Sequence, residues 1–318
     1  MGSSGEWDAL VIGAGVSGLT TAIRLAEAGF RVRVRAARPP QETTSAAAGA
    51  SWGPYMVSDA RVLLWSEQTR LALEKLSEDP ATGVRLVRGV EASPRPVEAP
   101  SWMRGISDFE SCPPDELPPG YACGWRYTIP LVSMPRYLDY LVNRLRSANV
   151  SIEIAPISSF REVSGLARLL VNCTGLGARS LVPDDQVYPT RGQLVVVDNP
   201  GIDHFFQDHV EDEKLTYFLP HGDHVVLGGS AIPGSESLDP DPVAARAIVD
   251  RCAAVEPRLR DARVRRILVG LRPSRSRVRV EWATVDGVPV LHNYGHGGSG
   301  VTLSWGCADE VLSLSGLQ

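Results

Sequence analysis

Along the first forty residues the apolar positions change period twice. Residues 9–12 (ALVI) are continuously apolar, as in a strand buried on both faces. Over residues 19–28, Leu19, Ala22, Ile23 and Ala26 recur at helical spacing, and Gly29 follows where a left-handed residue ends a helix. Residues 30–35 alternate apolar and charged side chains, which predicts a second strand. Helical spacing returns over residues 60–76, with Leu63, Leu64, Leu71 and Leu76 expected inside. It returns again over 135–147, where Tyr137, Leu138, Leu141, Val142 and Leu145 form the apolar stripe. Between these helices, residues 79–120 are rich in proline and charge and read as short strands in ordered loops, because Trp102, Phe109 and Tyr121 need burial. Residues 169–175 (LLVNCTG) suit a central strand ending in a turn. Residues 193–197, 216–219, 224–227 and 278–282 are expected to form a second, mostly antiparallel sheet, interrupted by a helix over 242–255.

Length and charge narrow this picture. A chain of 318 residues sits near the size at which one core divides, so two domains are expected. The net charge is -5 and the 32 Lys and Arg are scattered, which argues against nucleic acid or an anionic membrane as partner. No apolar run approaches the ~20 residues of a membrane span, and the start MGSSGEWD lacks the positive charge of a secretory signal. The expected location is cytoplasmic, with a homodimer as the common oligomeric state of soluble proteins. Five scattered cysteines show no metal-site spacing, and no metal is expected. Cys112 and Cys123, which flank a proline-rich loop, are the pair that an oxidising setting would join.

The turn after the first strand is GAGVSG, residues 13–18, in the strand–turn–helix context of a dinucleotide fingerprint. Gly13 permits the turn, Gly15 lets backbone approach a pyrophosphate at the helix N-terminus, and Gly18 lets helix and strand pack. Ala14, Val16 and Ser17 complete the loop. The acidic residue expected about twenty positions later to hold a ribose is missing from Arg35-Ala36-Ala37-Arg38. On this evidence a nicotinamide dehydrogenase and a flavoenzyme both stay open. A second glycine-dense stretch, HNYGHGGSG at residues 292–300, favours the flavoenzyme, because an extended FAD needs its ribityl and ring end held from elsewhere in the fold.

Together with AAAGASWGPY (46–55), VNCTGLGARSL (171–181), RGQL (191–194) and GLRPSRSRVRVE (270–281), these stretches resemble the FAD-dependent D-amino-acid oxidase family from about residue 8 to 312. The resemblance implies an α/β fold: a discontinuous Rossmann-like FAD domain (1–56, 133–191 and 283–318) and a mostly antiparallel substrate domain (57–132 and 192–282). It places Gly13, Gly15 and Gly18 at the pyrophosphate of a non-covalent FAD. Arg38, Thr43 and Thr44 fall near its adenosine and phosphates, with Ala37 replacing the ribose acid. Ala48, Gly49, Ala50 and Ser51 fall beside the flavin ring, and Cys173, Thr174 and Gly175 close over the cofactor. Gly297, Gly298, Ser299, Gly300 and Thr302 cradle the ring and ribityl end.

For the substrate, the resemblance implies that Arg272 binds the α-carboxylate bidentately, as lysine cannot. Tyr217 assists it, and the Gly298 carbonyl accepts from the amine. The implied reaction passes a D-amino acid's α-hydrogen to flavin N5 as hydride. Water then gives a 2-oxo acid and ammonia, and oxygen is reduced to hydrogen peroxide. Glu213 stands where mammalian members have a second tyrosine, and the segment before Tyr217 is shorter than their lid. Ala231 stands where D-aspartate-specific members tend to have arginine, so neutral side chains are expected. His296 is read as a loop-holding hydrogen-bonding group, and Cys307 as a buried thiol. The alternatives are a related flavin oxidase of glycine, a secondary amine or a biosynthetic amino-acid derivative, and a flavoprotein without turnover.

Overall fold

The structure, a computed structural model, describes residues 7–209 and 214–317. Glu213 and its acidic neighbours therefore lie outside the described residues.

The described strands form two sheets. The first has the order β14 (Arg279–Val285), β15 (Val288–Tyr294), β7 (Ala167–Asn172), β1 (Trp7–Ile12), β2 (Val32–Ala36) and β6 (Ser151–Ile154). β1 runs parallel to β2 and β7 at its centre, which explains its unbroken apolar run. Ala9 and Val11 enter the core beneath the helices, while Leu10 and Ile12 enter a second cluster around Phe160 and Val290. α1 (Val16–Glu27) connects β1 to β2 with Leu19, Ala22 and Ile23 buried, and Gly29 follows at φ +91°. α3 (Met134–Ser147), buried through Tyr137, Leu138, Leu141 and Leu145, and α6 (Ser304–Leu314) pack beside it.

The second sheet has nine strands. Its path is β12 (Ile232–Pro233), β8 (Tyr188–Asp198), β11 (His224–Ser230), β10 (Lys214–Pro220), β9 (Phe205–Asp208), β3 (Val84–Ser93), β5 (Cys123–Val132) and β4 (Glu110–Ser111). β13 (Val264–Ser274) takes the other edge of β8. Only the β3–β9 pairing is parallel. α5 (Pro242–Val255), N-capped by Asp241 Oδ1 accepting from the Val243 and Ala244 N–H groups, covers one face. The other face looks toward the C-terminal ends of β1 and β7, where open parallel sheets bind ligands. The short α4 (Ala178–Leu181) follows β7.

Two expectations need correction. Residues 278–282 do not join the second sheet: β14 pairs antiparallel with β15, which runs parallel to β7 in the first. The cause is the turn Asp286-Gly287, both at positive φ (52° and 80°), the two-residue hairpin that ties a strand to its successor. In α2 (Val62–Leu76), Leu63, Leu64 and Leu71 are exposed, and Leu76 is half-buried. The buried face carries Val62, Trp65, Ser66, Thr69 and Leu73. α2 turns this way because it meets α6 at close range: the Gly306 N–H donates to Thr69 Oγ1 at 3.0 Å, and a side chain at 306 would overlap the Trp65 backbone. Small residues set the approach, and Trp65 fills the remaining volume.

Cys112 and Cys123 are free thiols; the Cys123 Sγ donates to the Arg95 carbonyl at 3.3 Å. No described helix is long and apolar enough to cross a membrane.

Candidate active site

The first glycine loop joins β1 to α1. Gly13 is at φ +118°, and a side chain there would overlap the Cys173 carbonyl of the neighbouring β7 turn; one at Gly18 would overlap the Gly13 carbonyl. These two glycines answer to packing. Gly15 is different, since an added carbon would meet only side chains, the Ser45 hydroxyl at 3.1 Å and Thr43 at 3.9 Å, at the open mouth of the helix. Ser45 Oγ accepts from the Val16 N–H at 3.0 Å, so it is already engaged with the first turn of α1. Ser45 stands one residue beyond Thr43 and Thr44, the positions expected from sequence.

The second loop leaves β15 and is bonded to the first. The His296 ring nitrogens lie 3.0 Å from Asn293 Oδ1 and 3.4 Å from Ser17 Oγ. Asn293 Nδ2 donates to Thr21 Oγ1 at 3.0 Å, and Thr20 Oγ1 donates to the Ser304 carbonyl at 3.0 Å. His296 is thus a holder of the loop, as expected, and burial pushes its pKa down to about 4. The loop also clamps the segment after Ser51. Ser299 Oγ accepts from the Tyr55 N–H and donates to its carbonyl, both at 2.7 Å, and Thr302 Oγ1 does the same for Gly53 at 3.2 and 3.0 Å. Gly297 is at φ +54° with its missing side chain directed at the Met56 carbonyl.

Between the sheets lies a cavity of about 1560 Å³. It runs from Ala37, Arg38 and Ala155 past both glycine loops to Tyr217 and Arg272. Single small-molecule pockets are ~300–1000 Å³, so this one has room for an extended dinucleotide with a substrate beside it. Every residue assigned to the site from sequence lines it except Gly18, buried by its packing on Gly13, and Ser299, whose side chain is spent on Tyr55. An FAD therefore fits: a helix N-terminus kept open by Gly15, a far wall of backbone at residues 297–300, and a continuous channel between them. Ala37 leaves the first end without a carboxylate at that position, as the sequence reading anticipated.

The second sheet roofs the other end. Tyr217 on β10 is opposite Gly228 on β11, and any side chain at 228 would overlap the phenol ring. Arg272 on β13 reaches across Gly192 on β8, and its Nη1 donates to the Ser230 carbonyl at 2.9 Å. Phenol and guanidinium converge over residues 228–230, and the Arg272 charge acts on both Tyr217 and Tyr55. Burial raises both phenols above the ordinary tyrosine value, so each remains a hydrogen-bond donor. His221, whose Nε2 lies 3.3 Å from the Gly49 carbonyl, is held neutral by burial, at about 4. Cys173 is raised to about 12 by burial, and Cys307 is fully buried away from the cavity, as expected of an inert thiol. Among the described residues no group of three or more His, Cys, Asp and Glu could hold a metal ion.

Sequence reading missed Ser45, Tyr55, Gly192 and Gly228. For the two glycines a signal existed: a glycine inside a strand marks a close approach by another group. RGQL also alternates, with Arg191 and Gln193 facing the loop at 237–241 through bonds to Ser237, Asp239 and Asp241, which sends Gly192 to the cavity face.

Known proteins place this arrangement. The chain is 48% identical over 311 residues to a D-amino-acid oxidase of Rubrobacter xylanophilus, covering 97% of this chain and 95% of that one. It is 43% identical over 322 residues to one of Streptomyces coelicolor, covering 98% and 97%. Its fold matches the crystal structure of glycine oxidase from Geobacillus kaustophilus with a TM-score of 0.82 at 19% identity, over 97% of this chain and 94% of that one. The model of the FAD dependent oxidoreductase family, DAO, matches residues 8–314, and the chain belongs to that family.

Proposed function

We propose that the chain carries out oxidative deamination of D-amino acids, giving a 2-oxo acid, ammonia and hydrogen peroxide with dioxygen as the second substrate. The observation that carries this reading is the convergence of Arg272 and Tyr217 over residues 228–230, at the end of a cavity built for an extended dinucleotide. The full-length similarity to D-amino-acid oxidases supports it. Bound FAD would supply the two-electron oxidation of the amino acid. The protein supplies orientation. Arg272 offers a fork of N–H donors to the α-carboxylate, the Tyr217 hydroxyl donates beside it, and the Gly298 carbonyl accepts from the amine. With carboxylate and amine fixed, only one enantiomer directs its hydrogen toward the ring.

No acid or base is needed at the reacting carbon, and burial, which lowers His296 and His221 to about 4, makes both weak bases. In this reading residues 1–56, 133–191 and 283–318 hold the cofactor and residues 57–132 and 192–282 the substrate, with the whole of β14 moved to the cofactor side. The test is anaerobic mixing of the holoprotein with separate D- and L-amino acids while the visible flavin absorbance is recorded. Bleaching by D-enantiomers alone is expected; a flavin that only L-enantiomers, or no amino acid, bleach would overturn the reading.

A further inference from the structure

One row of side chains crosses the cavity face of the second sheet. Strand register sets Tyr217 opposite Gln207, and Gln207 opposite Glu91. Both Gln207 and Glu91 line the cavity, and Glu91 is only 4% exposed. Its carboxylate faces three groups: Tyr127 Oη donates to Oε2 at 2.5 Å, Gln207 Nε2 donates to Oε2 at 2.5 Å, and His209 Nδ1 lies 2.6 Å from Oε1. A carboxylate only accepts, so the Gln207 amide is oriented with its N–H₂ toward Glu91 and its carbonyl the other way. That carbonyl receives just the Ser51 hydroxyl, at 3.5 Å. Beyond Tyr217 the wall therefore presents an acceptor oxygen, polarised by a buried carboxylate behind it.

We propose that this end of the cavity recognises a D-amino-acid side chain ending in an ammonium or guanidinium group, with Gln207 and Glu91 as the specificity-determining residues. The proposal rests on the reading of D-amino-acid oxidation given above. Glu91 stands two strands from Tyr217, about 10 Å at the usual strand spacing. A carboxylate anchored at Tyr217 and Arg272 leaves a flexible four-carbon stem the reach to place its donors on Gln207 Oε1. An apolar chain of equal length leaves that oxygen unpaired. Ala231, which also lines the cavity, offers no cation for an acidic chain, and such a chain would set its carboxylate against the Gln207 carbonyl, acceptor against acceptor. The neutral preference expected from Ala231 alone is thus moved toward basic side chains.

The experiment compares kcat/KM of the holoenzyme for D-lysine and D-arginine with that for D-norleucine, which has the same stem without charge, and for D-glutamate. Basic substrates are expected to lead and D-glutamate to trail. Glu91→Gln is expected to lower kcat/KM for D-lysine about tenfold, because the Gln207 carbonyl loses the carboxylate that orients and polarises it and with it the hydrogen bond to a charged group, while D-norleucine changes little. A measurement without turnover accompanies it: titration of the flavin spectrum with 6-aminohexanoate and with hexanoate. The wild type is expected to bind the amino form more tightly and Gln207→Leu to erase the difference, which keeps the proposal testable if Glu91→Gln fails to fold. A wild type that prefers D-norleucine, or a Glu91→Gln that lowers all substrates equally, overturns the side-chain proposal and leaves the oxidase reading standing. If no D-amino acid bleaches the flavin, both fall.

Discussion

Arg272 occupies the space that a side chain at residue 192 would fill: a Cβ there would stand 2.5 Å from Arg272 Nη1. Gly192 therefore belongs to the proposed carboxylate site although it bears no functional group. Gly192→Ala is expected to displace the guanidinium from the Ser230 carbonyl and to cost about 2–5 kcal/mol in kcat/KM, the range for truncating one partner of a charged hydrogen-bonded pair. FAD content should be unchanged, because residue 192 lies at the substrate end. Steady-state kinetics with a cofactor titration checks both parts, and an alanine variant with normal kcat/KM would remove Gly192 from the site.

Arg272→Ala is expected to lose at least as much, and Arg272→Lys to recover only part of it, since an ammonium cannot present the planar fork. The comparison separates charge from geometry. Near-normal turnover in the alanine variant would end the carboxylate assignment.

Tyr217→Phe removes one neutral donor and leaves the ring over Gly228 in place. The expected loss is about 1 kcal/mol, felt mainly as a raised KM. A loss in kcat with KM unchanged would assign the hydroxyl to the chemical step instead.

Cofactor retention tests the first end of the cavity. Ala37→Asp restores a carboxylate where a ribose hydroxyl is usually held, and FAD affinity is expected to rise roughly tenfold, as for one added charged hydrogen bond. Gly13→Ala should have the reverse effect, because its side chain would overlap the Cys173 carbonyl. Fluorescence titration of the apoprotein with FAD measures both; an Ala37→Asp variant with unchanged affinity would place the ribose away from residue 37.

Stability against pH follows from buried groups. His221 and His296 at about 4 and His292 at about 3 all lie below their ordinary value of 6.5, each chiefly through burial. The unfolded chain then binds more protons than the folded one, so the contribution of these histidines is intact above pH 6.5 and is lost as pH falls toward 4. Asp208, raised by burial from 3.8 to about 6, acts in the opposite sense: its contribution is complete below 3.8 and lost as pH rises through 6. Three histidines against one carboxylate predict a net fall in Tm on acidification from pH 6.5 to 4, flattened by His292→Gln. A Tm that holds constant over that window would contradict the assignment.

The sequence by itself determined the local elements and the cofactor. An unbroken apolar strand, a glycine turn and an amphipathic helix form a β-α-β unit from local periodicity and turn chemistry alone, and GAGVSG with HNYGHGGSG pointed to both ends of one extended cofactor. Arg272 and Tyr217 were legible only because GLRP and TYFLP resemble a known family; nothing in their local spacing separates them from a surface arginine and a core tyrosine. Tertiary structure decided what depends on residues distant in sequence. Which face of α2 is buried depended on Gly306, some 240 positions away, and the sheet that β14 joins depended on pairing beyond its own hairpin. The wall of Glu91, Gln207 and Tyr217 exists only through inter-strand register: a one-residue slip would turn each side chain to the opposite face, and no pattern within a single strand fixes the alignment of three.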